Sequence, residues 1–301
     1  MIAGPTGVGK TSISIAVARI LDSEIISADS RQVFRQMRIG TARPGKDLLQ
    51  AAAHHFIADR NLDDPYSAGI FAREAEERIG QIIARGHSPL VVGGSTLYLR
   101  ALVEGLADIP VVDPEIRLRM NRRLHDEGAG PLYEELCAVD PAFASTLDAS
   151  KSQRIIRGLE VWHGTGKPIS EYFTEQSTPD SSYTFFILDR ERSELYARIN
   201  TRVDRVISEG LVDEVISILD AGFGPEVNAL QTIGYREAVR YLNGDCSLDV
   251  MTSEIKKNTR RYAKRQLTWF RGLSEARWIM VTQKSDDAVT AEIVTVCGDL
   301  L

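Results

Sequence analysis

The chain has 301 residues, 43% hydrophobic and 26% charged, the balance of a globular protein with one large domain or a core plus an appendage. This excludes a disordered or collagen-like chain, no apolar run reaches the ~18 residues of a membrane span, and the first residues lack the basic and apolar regions of a signal peptide. The net charge is −6, and Cys137, Cys246 and Cys297 are scattered without a C-x-x-C pair, which reads as free thiols in the cytoplasm rather than a disulfide framework or zinc site.

Strand and helix signals alternate from the start. Only Met1, Ile2 and Ala3 precede Gly4, fewer than the ~5 residues of a usual strand. We therefore expect part of the first strand to be missing through a misassigned start; an intact native mass beginning at Met1 or Ile2 would reject this. Gly4-Pro5-Thr6-Gly7-Val8-Gly9-Lys10-Thr11 then fits G-x-x-x-x-G-K-[ST] without a mismatch. The glycines let backbone N–H groups turn inward around phosphate oxygens, and the following helix adds the positive end of its dipole. Lys10 supplies a full charge, and the Thr11 hydroxyl is placed to hold Mg²⁺. Lys10 to Leu21 has a helical apolar spacing, and Glu24 to Ala28 reads as a short strand.

Asp29 follows that strand, where ligands of open α/β sheets sit. A carboxylate there could accept a proton from a nucleophile, or it could simply cap a helix. Ser67 to Arg85 carries one apolar helical stripe, stopped by Gly86. Pro89 to Val92 is fully apolar, as in a parallel strand buried on both faces. It runs into Gly93-Gly94-Ser95 with no carboxylate, unlike most ATP- or GTP-binding loop proteins, which place an acidic residue there for Mg²⁺. Ser95 to Val103 reads as a helix.

The rhythm changes at Asp113-Pro114, a good N-cap and first-turn pair, although Ile116 stands where a capping box needs Glu or Gln. From there to Ser182 the patterns are helical, with Ser152 to Trp162 amphipathic through Ile155, Ile156, Leu159 and Trp162. Tyr183 to Leu188 returns to strand character, and four helical stretches follow. The expected fold is α/β: a P-loop NTPase-like parallel sheet core of residues 1–112 and 183–301, with a helical insertion domain at 113–182.

The last of those helices is basic. Between Met251 and Gly272 seven basic residues, Lys256, Lys257, Arg260, Arg261, Lys264, Arg265 and Arg271, face Glu254 alone. On an acidic protein this is a localised patch, either a solvated helix face or a track for a phosphate backbone. His54 and His55 have no partners at metal-ligand spacing, so a structural role is expected; Trp162, Trp269 and Trp278 are expected in the core.

With the phosphate loop, the stretches Ser27-Ala28-Asp29-Ser30-Arg31-Gln32-Val33-Phe34, Ile39-Gly40-Thr41-Ala42-Arg43-Pro44, His54 to Asp59 and Val92 to Tyr98 resemble the tRNA dimethylallyltransferase family. The likeness continues through Gln153-Arg154-Ile155-Ile156-Arg157, Gln231-Thr232-Ile233-Gly234-Tyr235-Arg236 and Lys264-Arg265-Gln266-Leu267-Thr268-Trp269, in order over nearly the whole chain. The resemblance implies a prenyltransferase that moves a dimethylallyl group from dimethylallyl diphosphate to N6 of the adenosine just 3′ of the anticodon, position 37. It implies that Gly4 to Thr11 bind the donor diphosphate rather than a nucleotide, with Mg²⁺ at Thr11. Asp29 would be the general base, with Lys10, Ser95 and Arg202 also catalytic; Ser95 stands where the family commonly has threonine. Asp29 to Gln32, Ser95, Arg117, Gln153 to Arg157 and Gln231 to Arg236 match stretches that touch the tRNA anticodon stem-loop. The insertion would grip that loop, the basic helix would lie along the tRNA backbone, and the protein would act as a monomer. Three other readings stay open: transfer to free adenine nucleotides, a P-loop small-molecule kinase that binds ATP, and a non-catalytic RNA-binding module.

Overall fold

The computed structural model describes residues 1–107, 109–173 and 183–298. The chain divides into two compact units, Met1–Val103 with Asp180–Leu301, and Glu104–Pro179. In chain order the first unit opens with β1 (Ile2–Ala3), α1 (Lys10–Ile20), β2 (Ser23–Ala28), α2 (Lys46–Gln50), β3 (His54–His55), α3 (Ala68–Ala84), β4 (Ser88–Gly93) and α4 (Thr96–Glu104). The second unit holds α5 (Pro114–Glu127), α6 (Ala129–Val139), α7 (Pro141–Ala144), α8 (Ser152–Thr165) and α9 (Ile169–Tyr172). The first unit resumes with β5 (Phe186–Asp189), α10 (Arg192–Ser208), α11 (Leu211–Asp220), α12 (Tyr235–Leu242), α13 (Leu248–Phe270), β6 (Arg277–Met280) and α14 (Asp286–Gly298).

The six strands form one sheet in the order β3-β2-β4-β1-β5-β6, and every neighbouring pair is parallel. Alternation along the strands sends residues to two apolar layers. Ile25, Leu90 and Val92 pack with Ile13 and Val17 of α1 and with Val289 and Ile293 of α14. Ile26, Val91 and Ile187 face the other way, in the layer that holds Phe71 and Ala75 of α3 and Leu99 of α4. Full burial of each Val, Leu or Ile contributes about 1.5–3 kcal/mol.

Register fixes where the site lies. Ala3 pairs with both Gly93 and Ile187, and Ala28 pairs with Gly93. The loops beginning at Gly4, Asp29 and Gly94 therefore leave the sheet side by side at its carboxyl edge. The chain steps to one side of β1 for β2 to β4 and to the other for β5 and β6, so that edge is the topological switch point. Gly93 is glycine because the strands crowd there: a Cβ would lie 2.2 Å from the Ala28 carbonyl oxygen. Gly93→Ala should cost about 1–3 kcal/mol through overpacking, read as a lower denaturation midpoint at an unchanged denaturant slope.

Several sequence expectations need correction. β5 begins at Phe186, not Tyr183, and the β6–α14 pair extends the sheet beyond any expected element. Trp278 is not core: it is 39% exposed on the edge strand β6, where only Ile279 is buried, and Trp162 and Trp269 are half-buried. Both histidines make contacts within the first unit. His55 Nε2 lies 2.7 Å from Glu24 Oε2, and His54 Nδ1 lies 2.8 Å from the Ala52 carbonyl oxygen.

Among its described residues the second unit has helices joined by loops and no strand. Asp113 caps α5 by accepting from Glu115 N at 2.9 Å, and Gly166 closes α8 in the left-handed conformation. The unit begins before Asp113 because the preceding segment belongs to its packing: Ala107 and Ile109 pack against buried Val161, Ile169 and Tyr172. Its main core gathers Met120, Leu132, Leu136, Ile155, Ile156 and Leu159.

Candidate active site

A cavity of about 1130 Å³ opens at the carboxyl edge of the sheet, and all of its lining lies in the first unit. The phosphate loop forms its floor. Gly7 and Gly9 have φ of +83° and +116°, a region that L side chains rarely adopt, which turns the loop tightly into α1. Among the described residues the N–H groups of Gly7 and Gly9 have no protein acceptor, and no side chain caps α1. These donors and the helix dipole make a site for an anion.

Lys10 Nζ folds back onto the loop, donating to the Gly4 and Pro5 carbonyls at 2.8 and 2.9 Å. Burial and then the nearby Arg202 guanidinium push its pKa down to about 7, against the opposing pull of Asp29. Arg202, on α10, is half-buried and donates Nη2 to the Thr41 carbonyl at 2.8 Å. Burial pushes its pKa down as well. One helical turn earlier, Arg198 donates Nε to the Gly7 carbonyl at 2.9 Å. That i, i+4 spacing was a legible signal that Arg198 shares the cavity face of α10.

Asp29 caps no helix; it closes a local turn and keeps part of its carboxylate at the cavity. Its Oδ1 accepts from the N–H groups of Arg31 and Gln32 at 2.9 and 3.1 Å, a local turn that fixes the carboxylate. Among the described residues Oδ2 accepts no hydrogen bond, and Asp29 lines the cavity. Arg31 Nε donates to Thr232 Oγ1 at 2.5 Å, which joins the segment after β2 to the segment before α12. Ser30, Gln32, Ser95, Gln231, Ile233, Gly234 and Arg236 also line the cavity, so these stretches, far apart in the chain, converge.

Gln266, a residue without an assigned role until now, holds two parts of the site together. From α13 its Oε1 accepts from Thr6 N at 2.9 Å, and its Nε2 donates to the Gly94 carbonyl at 2.6 Å. It is buried, so both ends of its amide are committed. Gln266→Ala leaves one donor and one acceptor unpaired and should destabilise the fold by about 2 kcal/mol. A calorimetric titration with inorganic pyrophosphate should show weakened binding in the same variant.

Three expected tRNA contacts do not fit. Tyr235 is fully buried at the start of α12, with its hydroxyl donating to Glu214 Oε1 at 2.6 Å. Ile155 and Ile156 are 0% exposed in the core of the second unit. The resemblance marks stretches, and within a helical stretch the apolar face turns inward whatever the polar face does. The other positions there are at the surface: Arg154 and Gln153 are exposed, and Arg117 and Arg157 converge on buried Glu160 at 3.0 and 3.3 Å. The basic helix is likewise only partly available. Lys256 pairs with Asp204 at 2.5 Å and Arg260 donates to Asn200 at 2.6 Å, whereas Arg261 and Arg265 line the cavity.

The electrostatics are one-sided. Among the described residues eight Lys and Arg side chains and a single carboxylate, Asp29, line the cavity of a protein whose net charge is −6. Such a surface concentrates polyanions. Leu48, Ile57, Val206, Leu211, Ile233 and Ile255 give it an apolar part as well.

A family model described as IPP transferase matches residues 32–273. The chain belongs to this family. It is 52% identical over 278 residues to the tRNA dimethylallyltransferase of Salinibacter ruber, across 92% of this chain and 86% of that one. Its structure is similar to that of the full-length tRNA isopentenylpyrophosphate transferase of Bacillus halodurans, with a TM-score of 0.72 and 35% identity over 99% of this chain and 94% of the other. It is also similar to a eukaryotic dimethylallyltransferase acting on tRNA, with a TM-score of 0.82 and 27% identity over 99% of this chain and 78% of that one. For this family the P-loop-like sheet is the shared frame. Among the described residues no helix is long and apolar enough to cross a membrane.

Proposed function

We propose that this chain is a tRNA dimethylallyltransferase that prenylates N6 of the adenosine 3′ of the anticodon, position 37, using dimethylallyl diphosphate. The observation that carries the reading is the lone Asp29 carboxylate beside a phosphate loop, in a cavity otherwise lined by cations and apolar side chains. In the reaction N6 attacks C1 of the dimethylallyl group, the bond from C1 to the diphosphate oxygen breaks, and pyrophosphate departs. The N6 proton passes to Asp29 Oδ2. The adenine amine is a poor nucleophile, so a fixed carboxylate and a held donor each lower the barrier.

Lys10, Arg198, Arg202 and the N–H groups of Gly7 and Gly9 hold the diphosphate and take up the charge that builds on it as it leaves. The cavity's apolar side chains receive the prenyl group. Ser95 hydrogen-bonds near the reacting atoms. Mg²⁺ suits the site as an ion carried by the diphosphate, for Thr11 offers a hydroxyl in the cavity at the first turn of α1. Among the described residues no three His, Cys, Asp or Glu side chains gather to hold a metal. When bound, the ion would neutralise part of the leaving group's charge.

The adenosine must leave its stack to reach Asp29. Arg31, Gln32, Arg236, Arg261 and Arg265 supply base and backbone contacts at the cavity. Arg117, Gln153, Arg154 and Arg157 supply further backbone contacts from the helical unit. Transfer of label from dimethylallyl diphosphate, in parallel incubations with unmodified tRNA, AMP or ATP, tests the reading. Label in tRNA alone is expected. Label in the free nucleotides would replace the tRNA reading with a nucleotide prenyltransferase, and ATP turnover without prenyl transfer would replace it with a kinase.

A further inference from the structure

Glu214, near the start of α11, accepts four hydrogen bonds on one carboxylate. Oε2 takes the N–H groups of Arg38 and Ile39 at 2.9 and 2.7 Å, and Oε1 takes Gly40 N at 3.0 Å and the Tyr235 hydroxyl at 2.6 Å. The backbone it grips lies flat against the buried Tyr235 ring: a Cβ at Gly40 would be 2.5 Å from that ring. The next residues carry the consequence into the cavity. The Thr41 carbonyl accepts from Arg202 Nη2 at 2.8 Å and from Gln32 Nε2 at 3.2 Å. Ala42 then adopts φ of +46°, a left-handed conformation that is disfavoured for a non-glycine residue. A turn held in a disfavoured conformation needs outside anchors, and strain of this kind gathers at functional sites.

We infer that Glu214 is a positioning residue: with Tyr235 it clamps residues 38–40, so that the Thr41 carbonyl aims Arg202 at the diphosphate and Gln32 into the cavity. The inference rests on the proposed role of Arg202 in holding the diphosphate. Glu214 itself stands behind the turn and touches no substrate. Tyr235 therefore serves the site from within the core.

Two variants separate positioning from bulk stability. Glu214→Gln keeps shape but turns an NH₂ group toward backbone donors. Tyr235→Phe keeps the ring under Gly40 and removes only one of the four hydrogen bonds. The readout is calorimetric affinity for inorganic pyrophosphate with Mg²⁺, which does not require prenyl transfer. Glu214→Gln should weaken binding roughly tenfold, the scale of coupling between contacting residues, and Tyr235→Phe should weaken it by less. In an Arg202→Ala background adding Glu214→Gln should weaken binding by less than about twofold further, because its effect runs through Arg202. Equal binding by Glu214→Gln and wild type, or a full tenfold effect on top of Arg202→Ala, would overturn the inference. If Glu214→Gln does not fold, Tyr235→Phe alone decides: unchanged pyrophosphate affinity and KM count against the clamp. Wild-type protein that binds no pyrophosphate at all would instead refute the diphosphate reading of the site.

Discussion

Asp29→Asn should lower kcat by about 10²–10⁴, the usual contribution of a positioned general base. The substitution isolates chemistry from structure. Asp29 Oδ1 accepts two backbone N–H bonds, from Arg31 and Gln32, and an asparagine carbonyl oxygen accepts both equally well. What is lost is the negative charge and the proton-accepting Oδ2. The donor and tRNA affinities should therefore change by less than about threefold, because an interaction made only in the transition state leaves ground-state binding intact. Asp29→Ala is the coarser variant, since it also frees the turn that orients Arg31 and Gln32. A large loss of tRNA affinity in Asp29→Asn with unchanged turnover would assign Asp29 to recognition.

Lys10→Met is the second large effect, with opposite consequences for binding and for the unliganded fold. The loss of a charged donor to the diphosphate should weaken pyrophosphate binding roughly 100-fold. The pH dependence carries the signature. The Lys10 pKa in the folded, unliganded protein is about 7, below its ordinary value of 10.5, chiefly through burial. Above pH 7 the free protein loses the proton that a bound diphosphate demands. Wild-type affinity should therefore fall as pH rises from 7, approaching tenfold per unit, and Lys10→Met should lack that slope.

Stability moves the other way. Between pH 7 and 10.5 the unfolded chain holds a proton on Lys10 that the folded chain does not, so this group makes wild-type stability rise with pH across that window. The stability of Lys10→Met relative to wild type should be greatest below pH 7 and decline towards pH 10. Denaturant midpoints at pH 6 and 9 measure the difference. An equal difference at both pH values would mean that Lys10 keeps an ordinary pKa.

β1, β2 and β4 were legible because their signals are local, whereas the two-residue edge strand β3 was not. The phosphate loop fits a motif without a mismatch, and β2 and β4 are short runs with almost no alternative placement. β6 was not legible: only Ile279 of its four residues is buried, which leaves no apolar run to read. α14 carries apolar residues around most of its circumference and so lacks a clear stripe.

At the site, the glycine-rich loop was legible as a motif, and Asp29 was legible from its place after a strand. The residues that hold others in position were not. Gln266 and Glu214 act on backbone groups of segments more than 170 positions away in the chain; Gln266 lies in a matched stretch that does not reveal its role, and nothing in the local sequence marks Glu214. Tyr235, Ile155 and Ile156 show the converse limit, where a matched stretch does not tell which side chains point outward. Periodicity already placed Ile155 and Ile156 in the core, and it outweighs the resemblance there.

The proposed role of the Asp29 carboxylate is to drive prenyl transfer to one adenosine of tRNA. Its most direct test is to incubate wild type and Asp29→Asn with Mg²⁺, dimethylallyl diphosphate and unmodified tRNA, then digest the tRNA and locate the modified nucleoside by mass spectrometry. We predict that wild type yields N6-dimethylallyladenosine at position 37 alone and that Asp29→Asn yields almost none in the same time. Product at other positions, or equal product from both proteins, would contradict the account.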